Sequence, residues 1–261
     1  MRINRVQQIW QQGGVAYSGW LSIPSAFSAE LMAQAGFDAL TLDLQHGLLD
    51  FGSSLQMLQA ISLENLSPLA RVPWNEPGLI MKLLDAGAAG IICPMINSQA
   101  EAEAFVSACR YPPQGYRSYG PTRASLVWGS DYGAKANQTI LTLAMIETAQ
   151  GLEALESILD TPGLDGIFVG PNDLGLATGR GAGLDREQAD FLEILGRIAQ
   201  AAHNHGVMPG IYCGSAKYAQ RMVTLGYRFI AVSSDARLLS EGARSLVAAL
   251  KGSVAGQTQG Y

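Results

Sequence analysis

An alternation repeated eight times restricts this chain more than anything else in it: a short apolar run, a turn, then a stretch with apolar residues at helical spacing. The apolar runs fall at 15–23, 39–42, 68–72, 90–96, 139–146, 166–170, 208–213 and 229–233, each bounded by turn residues and short enough to be a buried strand. Helical stretches follow at 25–35, 53–63, 98–110, 149–159, 185–204, 215–225 and 237–251, after a short one around 6–12. One more is bracketed by Pro77 at its start and Gly87 at its end, residues suited to those positions. Ser98 and Glu101 match a capping box. Eight strand–helix units in 261 residues predict a (β/α)₈ TIM barrel. A doubly wound open sheet is the alternative, but no glycine fingerprint follows the first strand. The glycines of GRGAG, 179–183, neither follow a strand nor open a helix, so they read as a flexible loop.

No composition break marks a linker, so residues 1–261 form one expected domain. Residues 111–137, rich in Gly, Pro, Tyr and Ser and without periodicity, predict a long loop at the active-site or interface side. Residues 253–261 predict a loose tail. Hydrophobic residues make up 48% and charged ones 15%, which suits a soluble protein with much buried surface and subunit contacts. The net charge of −5 disfavours nucleic acid as partner. No apolar run nears the ~20 residues that span a bilayer, and MRINRVQQIW lacks a signal-peptide core, so a cytoplasmic location is expected. Cys93, Cys109 and Cys213 lack CxxC spacing and read as reduced structural thiols. His203 and His205 read as favourable charges at a helix C-terminus.

The C-terminal ends of the strands in such a barrel share one face, where active sites sit. This sequence places Asp43, His46, Arg71, Glu147 and Asp173 there. Glu147 and Asp173 end consecutive strands, and neighbouring strands lie ~5 Å apart. Their bland reading is a surface Glu and a helix-capping Asp. Two acids side by side also repel, which a divalent cation relieves, and the gathering of unusual polar groups on one rim favours the cation site. Two carboxylates with water suit Mg²⁺ or Mn²⁺ and leave positions open for substrate. His46 can move protons near neutral pH, with Asp43 to orient its ring. Arg71 offers a cation to a developing oxyanion, or a structural ion pair with a neighbouring acid.

A metal, an arginine and a histidine without a strong nucleophile suit chemistry next to a carbonyl. A 2-oxo acid would chelate the cation, lose a C3 proton to give a metal-bound enolate, and add to an aldehyde; the reverse reaction breaks the carbon–carbon bond. Lys82, Lys135, Lys217 and Lys251 fall in helices or the long loop, so Schiff-base chemistry lacks its amine.

The segments DLQHG, ARVPWNEPGLIMKLLDAGAAGIICPMI, RYPPQGYRSYGPTRA, MIETAQG and GLDGIFVGPNDLGLATG together resemble the HpcH/HpaI aldolases, metal-dependent class II pyruvate aldolases, in order from about residue 18 to 235. The resemblance implies a (β/α)₈ barrel assembled as a hexamer, a trimer of dimers, with the last helix exchanged between subunits. It implies Mg²⁺, Mn²⁺ or a similar ion such as Co²⁺ as cofactor, and Glu147 and Asp173 as its ligands. His46 looks like the acid/base group with Asp43 as its partner, and Arg71 like the contact to the keto or enolate oxygen. Asp85 resembles an acid that reaches a neighbouring subunit's site. Asn172 and Asp173 lie where backbone amides hold the substrate carboxylate. Some relatives carry Gln where this chain has Met145, which removes a polar contact near the metal, and Glu where it has Gln45, which makes the surroundings of the histidine less acidic. The expected reaction forms or cleaves 4-hydroxy-2-oxo acids from pyruvate or hydroxypyruvate and an aldehyde, the latter selected by Trp20, Tyr212, the long loop and a neighbouring subunit. The competing readings are an acyl-CoA lyase of the citrate-lyase β-subunit type, against which stands the lack of a basic patch for the CoA phosphates, and a non-catalytic barrel that binds 2-oxo acids.

Overall fold

A computed structural model describes residues 2–251. Eight parallel strands close into a barrel in sequence order, with β8 pairing back onto β1. They are β1 (Ala16–Leu21), β2 (Ala39–Asp43), β3 (Ser67–Arg71), β4 (Gly90–Cys93), β5 (Leu141–Ile146), β6 (Gly166–Val169), β7 (Met208–Cys213) and β8 (Phe229–Ser234). The helices are α1 (Arg5–Gln11), α2 (Ala26–Ala33), α3 (Phe51–Ile61), α4 (Pro77–Asp85), α5 (Gln99–Cys109), α6 (Thr122–Trp128), α7 (Tyr132–Thr139), α8 (Ala149–Glu153), α9 (Leu155–Leu159), α10 (Pro171–Ala177), α11 (Ala189–Asn204), α12 (Ala216–Thr224) and α13 (Asp235–Lys251).

Strand residues alternate between two apolar cores, as side chains on a strand must. On β5, Leu141, Leu143 and Met145 fill the barrel interior, while Ala144 and Ile146 face the surrounding helices. The interior is closed at its N-terminal end by Val6 and Trp10 of α1. Asn4, which caps α1, ties that plug down through its side-chain amide, which donates to the carbonyls of Ala89 and Thr139.

Several sequence expectations need correction. Residues 111–137 are not an irregular loop: α6 and most of α7 lie there. Neither helix has a side-chain N-cap, so the usual start signals are missing. The segment packs around Arg117, which is fully buried, lies over the ring of Tyr111 at 4.4 Å and donates to the Tyr132 hydroxyl. In this chain it belongs to the lower end of the barrel, opposite the strand C-termini: the Trp128 indole donates to the carbonyl of Gly87, just before β4. The stretch 149–159 is two short helices meeting at Ala154 rather than one. The capping box at α5 is offset, because Glu101 accepts from the backbone of Asn97 and not of Ser98; a complete box joins Asp50 and Ser53 at α3. The 253–261 tail lies outside the described residues. Among the described residues no helix is long and apolar enough to cross a membrane.

Candidate active site

Asp43 ends β2 directly opposite Arg71, which ends β3. The Arg71 fork grips the carboxylate, Nε to Oδ1 at 2.9 Å and Nη2 to Oδ2 at 2.7 Å. The Trp20 indole donates to Oδ2 at 3.0 Å, and the amides of Gln45 and His46 donate to Oδ1. Burial pushes the Asp43 carboxyl up, but the hydrogen bonds and charge of Arg71, with those of Trp20 and the His46 amide, outweigh it and hold the group below its ordinary value. This corrects the expectation that Asp43 orients the His46 ring. Its two oxygens are committed to other donors, and it fixes the histidine through the backbone instead. The imidazole stands exposed above the DLQHG turn. Beside it, Gln45 keeps a buried Oε1 without a protein partner.

Glu147 follows β5 and is 2% exposed. Its Oε1 accepts the Met95 amide at 2.8 Å. Met95 holds a φ of 57°, a left-handed conformation that costs about 1 kcal/mol or more outside glycine; here the strain aims an N–H at a buried carboxylate. Burial raises the Glu147 carboxyl, and the negative charge of Asp173 adds to it, while the Met95 amide and the Arg71 charge oppose. Glu147, Asp173 and Arg71 therefore share one electrostatic field. Oε2 points at Gly170, where a Cβ would stand only 2.5 Å away.

Asp173 occupies the first turn of α10, exposed, with Asn172 half-buried before it. The first helical bond of α10 runs from Leu174 to Gly170, so the amides of Asn172 and Asp173 are open, as the first turn of any helix leaves them. Trp20 stacks on Phe168 at 5.6 Å, meets Tyr212 edge-on at 5.5 Å and carries the Arg71 guanidinium over its ring at 5.0 Å. The structure thus gathers Trp20, Asp43, His46, Arg71, Glu147, Asn172, Asp173 and Tyr212 around the C-terminal mouth of the barrel. It does not bring Asp85 there. That residue ends α4 at the opposite end, with its carboxylate on Arg117 at 2.6 Å. Sequence reasoning missed Met95 and Gly170, whose roles depend on backbone geometry that their neighbours in the chain do not signal. Among the described residues no group of three or more His, Cys, Asp or Glu side chains converges as a metal cage.

The family model HpcH/HpaI aldolase/citrate lyase matches residues 17–242, from β1 into α13. The chain belongs to this family. The hydroxypyruvate/pyruvate aldolase of Rhizorhabdus wittichii is 42% identical over 94% of this chain and 98% of its own. The 4-hydroxy-2-oxo-heptane-1,7-dioate aldolase of Klebsiella pneumoniae is 40% identical over 88% of this chain and 87% of its own. A crystal structure of an HpcH/HpaI aldolase/citrate lyase family protein from Burkholderia cenocepacia superimposes with a TM-score of 0.86 at 31% identity, covering 94% of this chain and 98% of that one. Each of these relatives aligns with this chain over 87% or more of its own length.

Proposed function

We propose that this chain is a divalent-metal-dependent aldolase that forms and cleaves 4-hydroxy-2-oxo acids, with pyruvate or hydroxypyruvate as donor and an aldehyde as acceptor. The observation that carries the reading is Glu147: a buried carboxylate, beside Asp173, that no cationic side chain among the described residues pairs with. The two acids supply hard oxygen ligands of the kind Mg²⁺ or Mn²⁺ takes, and the lack of a third His, Cys, Asp or Glu ligand among the described residues suits a site that leaves positions open for substrate. Bound there, the ion would supply Lewis-acid polarisation of the donor carbonyl.

The remaining work falls to the chain itself. Arg71 spends Nε and Nη2 on Asp43, which locks the guanidinium and leaves Nη1 for the keto oxygen as it gains negative charge. The open amides of Asn172 and Asp173 bind the donor carboxylate. His46, exposed and fixed through its backbone, exchanges the proton at C3 and returns one to the new hydroxyl through water. Trp20 and Tyr212 wall the side from which the aldehyde enters.

The assembly proposed with this function is a hexamer with exchanged last helices, in which Asp85 serves a neighbouring site. Supporting it, α13 buries only Asp235 and presents Leu239, Leu246 and Leu250 to solvent. The 2-oxo-acid aldolase reading is tested by stripping the protein with a chelator and following pyruvate release from a 4-hydroxy-2-oxo acid. Turnover should vanish and return with Mg²⁺ or Mn²⁺; full turnover by metal-free protein refutes it.

A further inference from the structure

Arg237 shares the catalytic end of the barrel, yet the proposed chemistry leaves it without a part. Its position is built with care. Asp235, the buried first residue of α13, accepts from the amides of Ser22 and Ile23 and from the Ser28 hydroxyl, which pins the start of the helix to the loop after β1. The Arg237 amide is then capped by the Ser234 hydroxyl. Its Nε donates to Glu241 one turn on, at 2.6 Å. Nη1 reaches across the end of β7 and lies 3.2 Å from where a Cβ would stand on Gly214. Asp185 Oδ2 comes as close to the same point, while Oδ1 accepts the Gly214 amide at 2.7 Å. Asp185 adopts a φ of 52° to do so, a conformation that ordinary residues avoid. An anchored helix start, a glycine whose missing side chain leaves room and a strained aspartate all converge on one guanidinium.

Tyr212 lies two residues before Gly214, near the end of β7, and feels the charge of that guanidinium. Burial pushes the Tyr212 hydroxyl up to about 12; Arg237 is the strongest charge opposing the rise and Arg71 the next. Tyr212, edge-on to Trp20, therefore lies in the field of two cations. Arg71, over the Trp20 ring, is committed to Asp43. Arg237 is 39% exposed, and its Nη2 has no hydrogen-bonded partner among the described residues.

We propose that Arg237 selects the acceptor by binding the carboxylate of an aldehyde that carries one, with the donor on the Arg71 side of Tyr212 and the anionic end of the acceptor on the other. The inference rests on the aldolase reading. No bond forms or breaks at Arg237. The aldehyde carbon must meet the donor near Arg71, so an acceptor a few atoms long brings its far end to the rim. A planar guanidinium grips a carboxylate there through paired N–H groups. An uncharged acceptor of equal length gains nothing from it.

The test uses the full-length protein with Mn²⁺ and pyruvate, and compares kcat/KM for 4-oxobutanoate with that for butanal, which has the same carbon count and no charge. In Arg237→Gln the ratio of the two should fall about tenfold or more, the loss of one charge-assisted hydrogen bond, and Arg237→Lys should recover part of it. A smaller fall in the ratio, or an equal loss with both aldehydes, overturns the proposal. If the parent protein adds pyruvate to neither aldehyde, the aldolase reading fails. Succinate binding by calorimetry then decides for Arg237 separately: weaker binding by Arg237→Gln upholds the anion subsite, and equal binding overturns it.

Discussion

Gly170 offers the sharpest check on the active-site geometry. Its backbone, φ −93° and ψ 95°, is open to any residue, so alanine there brings no conformational strain. What it brings is a methyl group 2.5 Å from Glu147 Oε2 and 3.1 Å from the Met145 Cε. Ordinary contact starts at 3.4 Å, so the carboxylate must retreat by roughly 0.9 Å or the barrel end must open. Met145 can swing its thioether aside, but Glu147 is held by the Met95 amide and has little freedom. Displacement of a reacting group by ~1 Å costs ~10²-fold in rate, equivalent to about 2.7 kcal/mol of transition-state stabilisation. Gly170→Ala should therefore lose about 10²-fold in kcat with Mn²⁺ and bind Mn²⁺ more weakly by calorimetry. Circular dichroism should show an intact fold, with overpacking lowering stability by about 1–3 kcal/mol. Activity and Mn²⁺ affinity both within about threefold of the parent would refute the argument that the position of this carboxylate governs the chemistry.

Glu147→Gln should raise the melting temperature of metal-free protein, because it removes a buried charge that Asp173 repels, by about 2–4 °C for each kcal/mol relieved. The same variant should lose Mn²⁺ binding and turnover, and a lowered melting temperature would contradict the electrostatic account. Asp43 has a depressed carboxyl in the fold, so its stabilising effect is complete above about pH 4, its unfolded value, and fades as pH falls through the folded one. The gap in urea midpoint between the parent and Asp43→Asn should thus be constant from about pH 5 to 7 and narrow below about pH 4; a constant gap down to pH 2.5 or so argues against it. Replacing Leu246 and Leu250 by serine should shift sedimentation to smaller species, and an unchanged sedimentation profile would count against α13 as an assembly contact.

Strand positions were legible because a short apolar run between turn residues is too brief to build a helical stripe and too apolar to lie in water, and β7 falls at 208–213 as its run predicts. The rim acids, His46 and Arg71 were legible for a related reason: polar residues at the ends of such runs must emerge at one face. The failures share a cause, which is that tertiary contacts outvoted local signals. Residues 122–139 form helices with no side-chain cap because Arg117 and its tyrosines hold them, and those rings read from sequence as loop composition. Asp43 and His46 lie three positions apart, a spacing that suggests contact between their side chains, but Arg71, distant in sequence, takes the carboxylate. Helices run back down the barrel, so Asp85 at the C-terminus of α4 lies at the opposite end from Arg71 at the C-terminus of β3.

The barrel interior holds a run of aromatic rings: Trp10 against Phe229 at 6.2 Å, Phe229 against Phe168 at 6.0 Å, Phe168 on Trp20, and Trp20 beside Tyr212. Trp10 sits at the plugged end, while Trp20 is hydrogen-bonded to Asp43 and lies under Arg71 at the mouth. Any donor that draws on Arg71 changes the charge directly above the Trp20 indole. Trp20 is thereby placed to report occupancy of the mouth through its fluorescence, a signal that a Trp20→Phe variant would separate from that of Trp10, Trp74 and Trp128.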